Sequence, residues 1–288
     1  MRVHPDAASL LAECDERQPF GTADSLSGSQ FERVRIGDQW LVLKHLNLEH
    51  DWIMRATGDI DCRLLRLVRQ DAFQHLPQSI DHAMLAVAAA PDAHHHRGAL
   101  LLMRDVSAHL VPPGSSTVAE EVHAGCMEHM AEMHAQTWGF RDAHSLLCPL
   151  AHHYTFLTPT MAAIEADRGG GHPVPQAIAA GWRTLAAVDH PGVATLTQLV
   201  GDPGPLVAAL SRTPTALVHG DWKFGNIGQS PDGATVLLDW DRCTQAPSTL
   251  DLAWYLAVNC DRLPCSKEEA IAQYRNCLLY TSPSPRDR

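Results

Sequence analysis

The sequence predicts an α+β fold in two lobes, a small β-rich amino-terminal lobe followed by a mainly helical one. Three observations carry that reading. Residues 20–46, "FGTADSLSGSQFERVRIGDQWLVLKHL", set two apolar, β-branched runs between turn residues at Ser27–Gly28–Ser29 and Gly37–Asp38. "VPPGSS" (111–116) breaks the pattern with two prolines and a glycine. Beyond it the chain is dominated by alanine-rich stretches of helical character, above all over 150–210. The expected division is 1–108, 109–276 and a tail at 277–288.

Taken in order, "FERVRI" and "QWLVLKHL" read as a pair of strands around the Gly37–Asp38 turn. "DCRLLRLVRQDAF" (61–73) has helical spacing through Leu64, Leu65, Val68 and Phe73. "HAMLAVAAAP" and "GALLLMRDV" read as further strands joined by a polar "DAHHHR" turn, although the first has enough alanine to fit a helix as well. A long helix is expected over "TVAEEVHAGCMEHMAEMHAQTWG". Thr117 with Glu120 three residues on has the form of a capping box, Val118, Val122, Met130 and Met133 give an apolar face, and Gly139 a stop. "DRGGGHPVP" interrupts the helices that follow. "TALVHGD" and "ATVLLDWD" read as short buried strands, the second preceded by the turn "SPDG", with Trp240 pointing into the core from between Asp239 and Asp241.

Composition narrows the function. The 288 residues suffice for a sizeable core, and 45% hydrophobic content is that of a globular protein. No uninterrupted apolar run approaches the ~18 residues of a membrane span. The first twenty residues lack the apolar core of a signal peptide, and eight cysteines stand without a CxxC pair, so a cytoplasmic location is expected. A net charge of −11 argues against nucleic-acid binding; an acidic surface can attract a cationic small molecule, but plain solubility is the first reading of that charge, which leans only slightly towards a cationic partner.

The densest chemistry lies in "LVHGDWKFGNIG" (217–228) and the "LLDWD" that follows the SPDG turn. A hairpin between them would bring Asp239 back towards Asp221 and Asn226. Two carboxylates and an amide oxygen form a hard, oxygen-only donor set suited to Mg²⁺ rather than zinc. Lys223 can neutralise charge developing on a phosphoryl group. These two segments resemble the HGDxxxxN loop and the metal-binding aspartate strand of the aminoglycoside phosphotransferase and choline kinase family. That resemblance implies a bilobal protein-kinase-like fold and ATP- and Mg²⁺-dependent phosphorylation of a small-molecule hydroxyl. Asp221 would be the catalytic base, Lys223 a charge-neutralising partner, and Asn226 and Asp239 the metal ligands. His219 and Asp251 would be structural.

The resemblance also implies a nucleotide-binding amino-terminal lobe. Lys44, a charge inside an apolar strand that needs a partner, would grip the phosphates. Gly28 and Ser29 in "LSGSQF" would belong to the phosphate-covering loop, and the backbone of Met103–Asp105 would face adenine. One departure stands out: the glutamate that partners the strand lysine in this family is missing from "GDIDCRLLRL". Asp61 is the nearest stand-in, with a shorter reach. A nucleotide-binding module with weak catalysis is therefore the alternative reading. A zinc hydrolase built on His123, Cys126 and His129 is a third, disfavoured because no further ligands stand at zinc spacing. "CLLYTSPSPRD" (277–287) resembles a translated sequencing adapter, which would make Asn276 the last native residue and leave out helices that the family uses to build its acceptor pocket.

Overall fold

The computed structural model describes residues 1–21, 27–90, 98–169 and 172–281. The "DAHHHR" turn and residues 282–288 of the tail lie outside the described residues. The chain opens with β1 (Arg2–His4), α1 (Ala7–Leu11) and β2 (Glu16–Pro19), then forms β3 (Gln30–Ile36), β4 (Gln39–Asn47), α2 (Trp52–Ala56) and α3 (Arg63–Arg69). Next come β5 (Ile80–Asp81), β6 (Met84–Ala89) and β7 (Gly98–Arg104). The helical region holds α4 (Glu120–Gln136), α5 (His152–Thr155), α6 (Pro159–Asp167), α7 (Pro173–Ala186), α8 (Pro191–Gly201) and α9 (Gly204–Leu210). The chain then runs through β8 (Ala216–Val218), β9 (Ile227–Gln229), β10 (Thr235–Leu237), β11 (Thr244–Ala246), α10 (Thr249–Val258) and α11 (Lys267–Thr281).

Six strands form one sheet in the order β1-β6-β7-β4-β3-β2. All its pairings are antiparallel except β1 with β6. The expected β3–β4 hairpin turns at Gly37–Asp38, with Ile36 opposite Gln39. β6 is a strand despite its alanines: Ala86 and Ala88 face one layer and Val87 the other, all fully buried against β7. The two-residue period of β4 explains both faces of the sheet. Leu41 and Leu43 pack with Val34, Leu100, Leu102 and Leu10, so α1, which nothing in the sequence announced, covers the outer face. Val42 and Leu46 join the main core on the opposite face, and Lys44 lies in register between them. Its ammonium is thereby turned towards the helical region.

Two small strand pairs bracket the segment that carried the motifs. β9 and β10 form an antiparallel hairpin with Ile227 opposite Leu237, and β5 adds to β10 in parallel. β8 and β11 pair with Val218 opposite Thr244. The loop 219–226 and the turn 238–243 therefore leave neighbouring strands and are held together at both ends. β10 stops at Leu237, short of the expected strand: Asp239 takes a left-handed conformation (φ 63°) and Trp240–Arg242 form a 3-10 turn. Trp240 is buried nonetheless, its ring edge-on to Phe73 and His219.

The long helix begins two residues later than the capping box suggested. Thr117–Ala119 stay extended because the Val118 amide donates to the Arg262 carbonyl, and Ala119, with no side-chain cap, precedes α4. At the other end α4 stops at Gln136, where the Thr137 hydroxyl takes the Met133 carbonyl; Gly139 (φ 82°) then donates to Thr215 in a neighbouring segment. α11 packs along α4 and continues through Cys277 and Leu278, which touch the main core, so the first residues of the supposed tail are helical.

The β-sheet lobe is fastened to the helices through α2 and α3. Trp52 packs with Phe156 and Met161, and Arg55 makes a bidentate pair with buried Glu165 of α6 at 2.9 and 2.5 Å. His152 bonds the Thr57 carbonyl, and Arg63 reaches the carbonyl of Asp241 at 2.7 Å.

Candidate active site

The loop His219–Asn226 is shaped by residues far from it in sequence. Asp251, fully buried at the start of α10, accepts hydrogen bonds from the amides of His219 (2.8 Å) and Gly220 (2.6 Å), from Trp222 Nε1 (3.0 Å) and from His134 Nε2 (3.1 Å). Burial pushes its carboxyl up, but these donors, with His134 first, hold it below the ordinary value. Asn259 grips the other side, accepting from the Phe224 amide and donating to the Trp222 carbonyl, each at 2.9 Å. Gly220 turns the chain at φ 83°, where an added Cβ would stand 2.5 Å from His153 Cε1 and 2.8 Å from the Arg242 carbonyl. His219 Nδ1 accepts from the Asp221 amide, and its ring is wedged against Trp240. Asp251 and His219 thus shape the loop.

The fold brings Asp221, Lys223 and Asn226 together. Asn226 Nδ2 donates to the Asp221 carbonyl (3.1 Å) and to its Oδ2 (2.9 Å), which fixes the orientation of the amide. Lys223 Nζ stands 3.6 Å from the same Oδ2. The other oxygen, Oδ1, accepts from Trp254 Nε1 at 2.8 Å and lies 3.1 Å from Arg242. Burial alone would raise the Asp221 carboxyl, but Arg242 and Lys223 keep it below its ordinary value, so it is ionised at neutral pH. The surroundings of Asp221 are consequently cationic although the chain as a whole is acidic.

Asp239 joins this group from the neighbouring turn and meets Lys44 Nζ at 2.7 Å, an ion pair between residues 195 positions apart. Burial works against the Lys44 charge, yet Asp239, Asp241 and Asp51 outweigh it and raise the ammonium above the usual lysine range. These aspartates, not Asp61, weigh on Lys44 most; Asp61 is exposed in the turn before α3. Asp59 caps α3 instead, accepting the Arg63 amide at 2.5 Å. Asp241 contrasts with Asp239: burial and its acidic neighbours push it up to about 6. The Asp239 side chain keeps 36% of its surface exposed while its Oδ1 is held by Lys44.

Next to this group is an apolar cavity of about 460 Å³, walled by Phe20, Phe31 and Val42 on the sheet side and by Leu238 and Gly225 on the other. Met103 and Arg104 form its back, where β7 runs out of the sheet. Asp105 does not line the cavity; its carboxylate is turned to Arg33 (2.7 Å) and Ser107. Gly28 has φ 94°, and a Cβ there would overlap the His50 carbonyl and the His172 ring. The Ser29 hydroxyl donates to Asp51, the cap of α2, at 2.7 Å and is buried. Gly28 and Ser29 therefore tie the start of β3 to α2.

Among the described residues no three His, Cys, Asp or Glu side chains converge as a metal site. Asn226 and Asp239 fit Mg²⁺ all the same, since that ion is held by one or two protein oxygens with substrate phosphates and water completing the shell. The helix histidines point elsewhere: His123 bonds Tyr255 and Gln273, and His129 bonds Thr235. His152 and His153, which had no evident companions in the sequence, hold the carbonyls of Thr57 and Arg242. Arg242, Trp254 and Asn259 were missed because each acts from outside the motif. A capping-type residue at the end of the "LDLAWYLAVN" helix is the only signal that could have singled one of them out.

A loop of this chemistry facing a sheet lysine has the form of a phosphoryl-transfer site, and the family comparison agrees. Residues 63–284 match the model of the phosphotransferase enzyme family, and the chain belongs to that family. Among solved structures it is similar to the choline kinase LicA from Streptococcus pneumoniae, with a TM-score of 0.51 and 12% identity over 97% of this chain and 80% of that one. LicA in complex with AMP gives the same TM-score at 11% identity, covering 97% and 80%. The ADP-bound aminoglycoside phosphotransferase APH(2'')-Ib follows at 0.48 and 14% identity, over 95% and 81%. At such identities the likeness is one of fold, an α+β protein-kinase-like architecture. No curated protein matches the chain. No helix among the described residues is long and apolar enough to cross a membrane.

Proposed function

We propose that the protein transfers the γ-phosphoryl group of ATP to a hydroxyl of a small molecule. The observation that carries this reading is the meeting of Lys44 with Asp239 at 2.7 Å, beside the Asp221–Asn226 pair and at the mouth of the apolar cavity. The cavity suits a purine ring, and the backbone of Met103–Asp105 would face its edge. Lys44 holds the phosphates, Lys223 offsets charge on the transferring group, and Asn226 and Asp239 would hold Mg²⁺. When bound, that ion neutralises the phosphate oxygens. The acceptor oxygen attacks the γ-phosphorus, the bond from that phosphorus to the bridging oxygen breaks, and ADP leaves. The hydroxyl proton passes to Asp221. Eight free cysteines support a reducing, cytoplasmic setting.

Calorimetry tests the first half. Mg²⁺–ATP should bind the chain, and D239A should weaken that binding by about tenfold or more, since a phosphate-linked charge interaction is lost. No binding by the unaltered chain overturns the reading. ADP release with a panel of hydroxyl compounds tests the second half. Both cationic and uncharged members belong in it: the net charge of −11 favours the former, Arg242 and Lys223 beside Asp221 the latter. A nucleotide-binding module with little turnover is the second reading, favoured by the absence of a glutamate partner for Lys44. It is distinguished by ATP binding without acceptor-dependent ADP release.

A further inference from the structure

Arg242 belongs to no motif, yet it is buried against Asp221 and stacked between two aromatic rings. It is 3% exposed, and its guanidinium carbon lies 4.1 Å from the Phe156 ring centroid and 4.6 Å from that of Trp254. The two rings fix the plane of the fork, and NH1 reaches Asp221 Oδ1 at 3.1 Å. Nε is buried without a hydrogen-bond partner, and the ion pair to Asp221 is made through NH1. Burying a charge in this way costs more than it returns unless the geometry it enforces is needed.

The two oxygens of Asp221 are held very differently. Oδ1 takes the indole N–H of Trp254 as a hydrogen bond and faces Arg242 as its ion partner, the two groups held by helix α10 and by stacking. Oδ2 takes Asn226 firmly, but its second neighbour, Lys223, stands at 3.6 Å and is 28% exposed, the one contact free to swing aside. We infer that Arg242 is a positioning residue of the transfer site: it pins Oδ1 so that Oδ2 alone is presented to the acceptor hydroxyl and receives its proton. This rests on the phosphotransferase reading above and adds which oxygen reacts and what orients it.

The test uses Mg²⁺–ATP as probe, with water as acceptor, on the full chain and on R242Q, R242K and R242A. R242Q should bind Mg²⁺–ATP within about threefold of the unaltered chain while ADP release falls about 10²-fold, a loss in kcat without one in KM. R242K, which keeps the charge but cannot stack or fork, should recover less than about a tenth of the rate. Millimolar guanidinium should raise the rate of R242A and not that of the unaltered chain. The NMR resonance of the Trp254 indole N–H should move in R242A and return with guanidinium. R242Q releasing ADP at the original rate, or R242A with an unmoved Trp254 resonance, overturns the inference. If the glutamine variant does not fold, R242K carries the same test, because full activity there would show that fixed geometry is unnecessary. An unaltered chain that binds no Mg²⁺–ATP overturns the phosphotransferase reading instead, and the Trp254 resonance still reports whether Arg242 orients Asp221.

Discussion

Replacing Asp221 with asparagine will slow phosphoryl transfer by about 10²- to 10⁴-fold, the usual worth of a positioned general base. Affinity for Mg²⁺–ATP, measured by calorimetry, should stay within about threefold, because the cavity and Lys44 are untouched. Asparagine is the informative choice. Its amide oxygen can still accept from Trp254 and lie beside Arg242, and Asn226 keeps its bond to the backbone carbonyl at 3.1 Å. Alanine would strand the buried Arg242 charge and confuse a catalytic loss with a folding loss. A rate within tenfold of the original would remove Asp221 from the role of base.

The second large effect is on stability. Asp251→Ala leaves the amides of His219 and Gly220, the Trp222 indole and His134 without their common acceptor in a site of zero exposure. Losing one member of such a buried network costs about 3–5 kcal/mol. Against a total of about 5–15 kcal/mol this is enough to unfold much of the population at physiological temperature. Urea unfolding followed by tryptophan fluorescence checks it, and an unchanged midpoint would contradict the role. The same carboxylate fixes a pH dependence. Its folded pKa is depressed below the ordinary 3.8, so its contribution is complete above that pH and is lost as acid titrates it in the folded state. D251N should flatten this acid limb, since the amide does not ionise.

The loop and the aspartate strand were readable because a phosphoryl-transfer site needs particular residue types within a few positions of one another. The β3–β4 hairpin was readable because Gly37–Asp38 sits between apolar runs of period two. What escaped was set by distant contact. Thr117 has the form of a helix cap, but the Arg262 carbonyl claims the next amide and keeps the segment extended. "LLDWD" reads as one strand because nothing in it signals the left-handed turn at Asp239. Asp61 was the natural replacement for the missing glutamate by position along the helix, whereas Lys44 finds its counter-charge 195 residues away. Arg242 and Trp254 have no fixed spacing from Asp221, so only the folded chain shows that they share one of its oxygens.

The Lys44–Asp239 contact also bears on how the molecule is made. The six-stranded sheet is complete by Arg104, yet at that point in synthesis the face of β4 that carries Lys44 would lack both its cover from the helical region and Asp239, and β5 would lack β10. The partners of β5 and Lys44 arrive only when the ribosome has delivered residues 235–239, well over a hundred positions later. Native pairings of this range are slow to form and leave apolar edges open in the meantime. A fragment ending before β9 should accordingly be cut by protease within the sheet more readily than the whole chain.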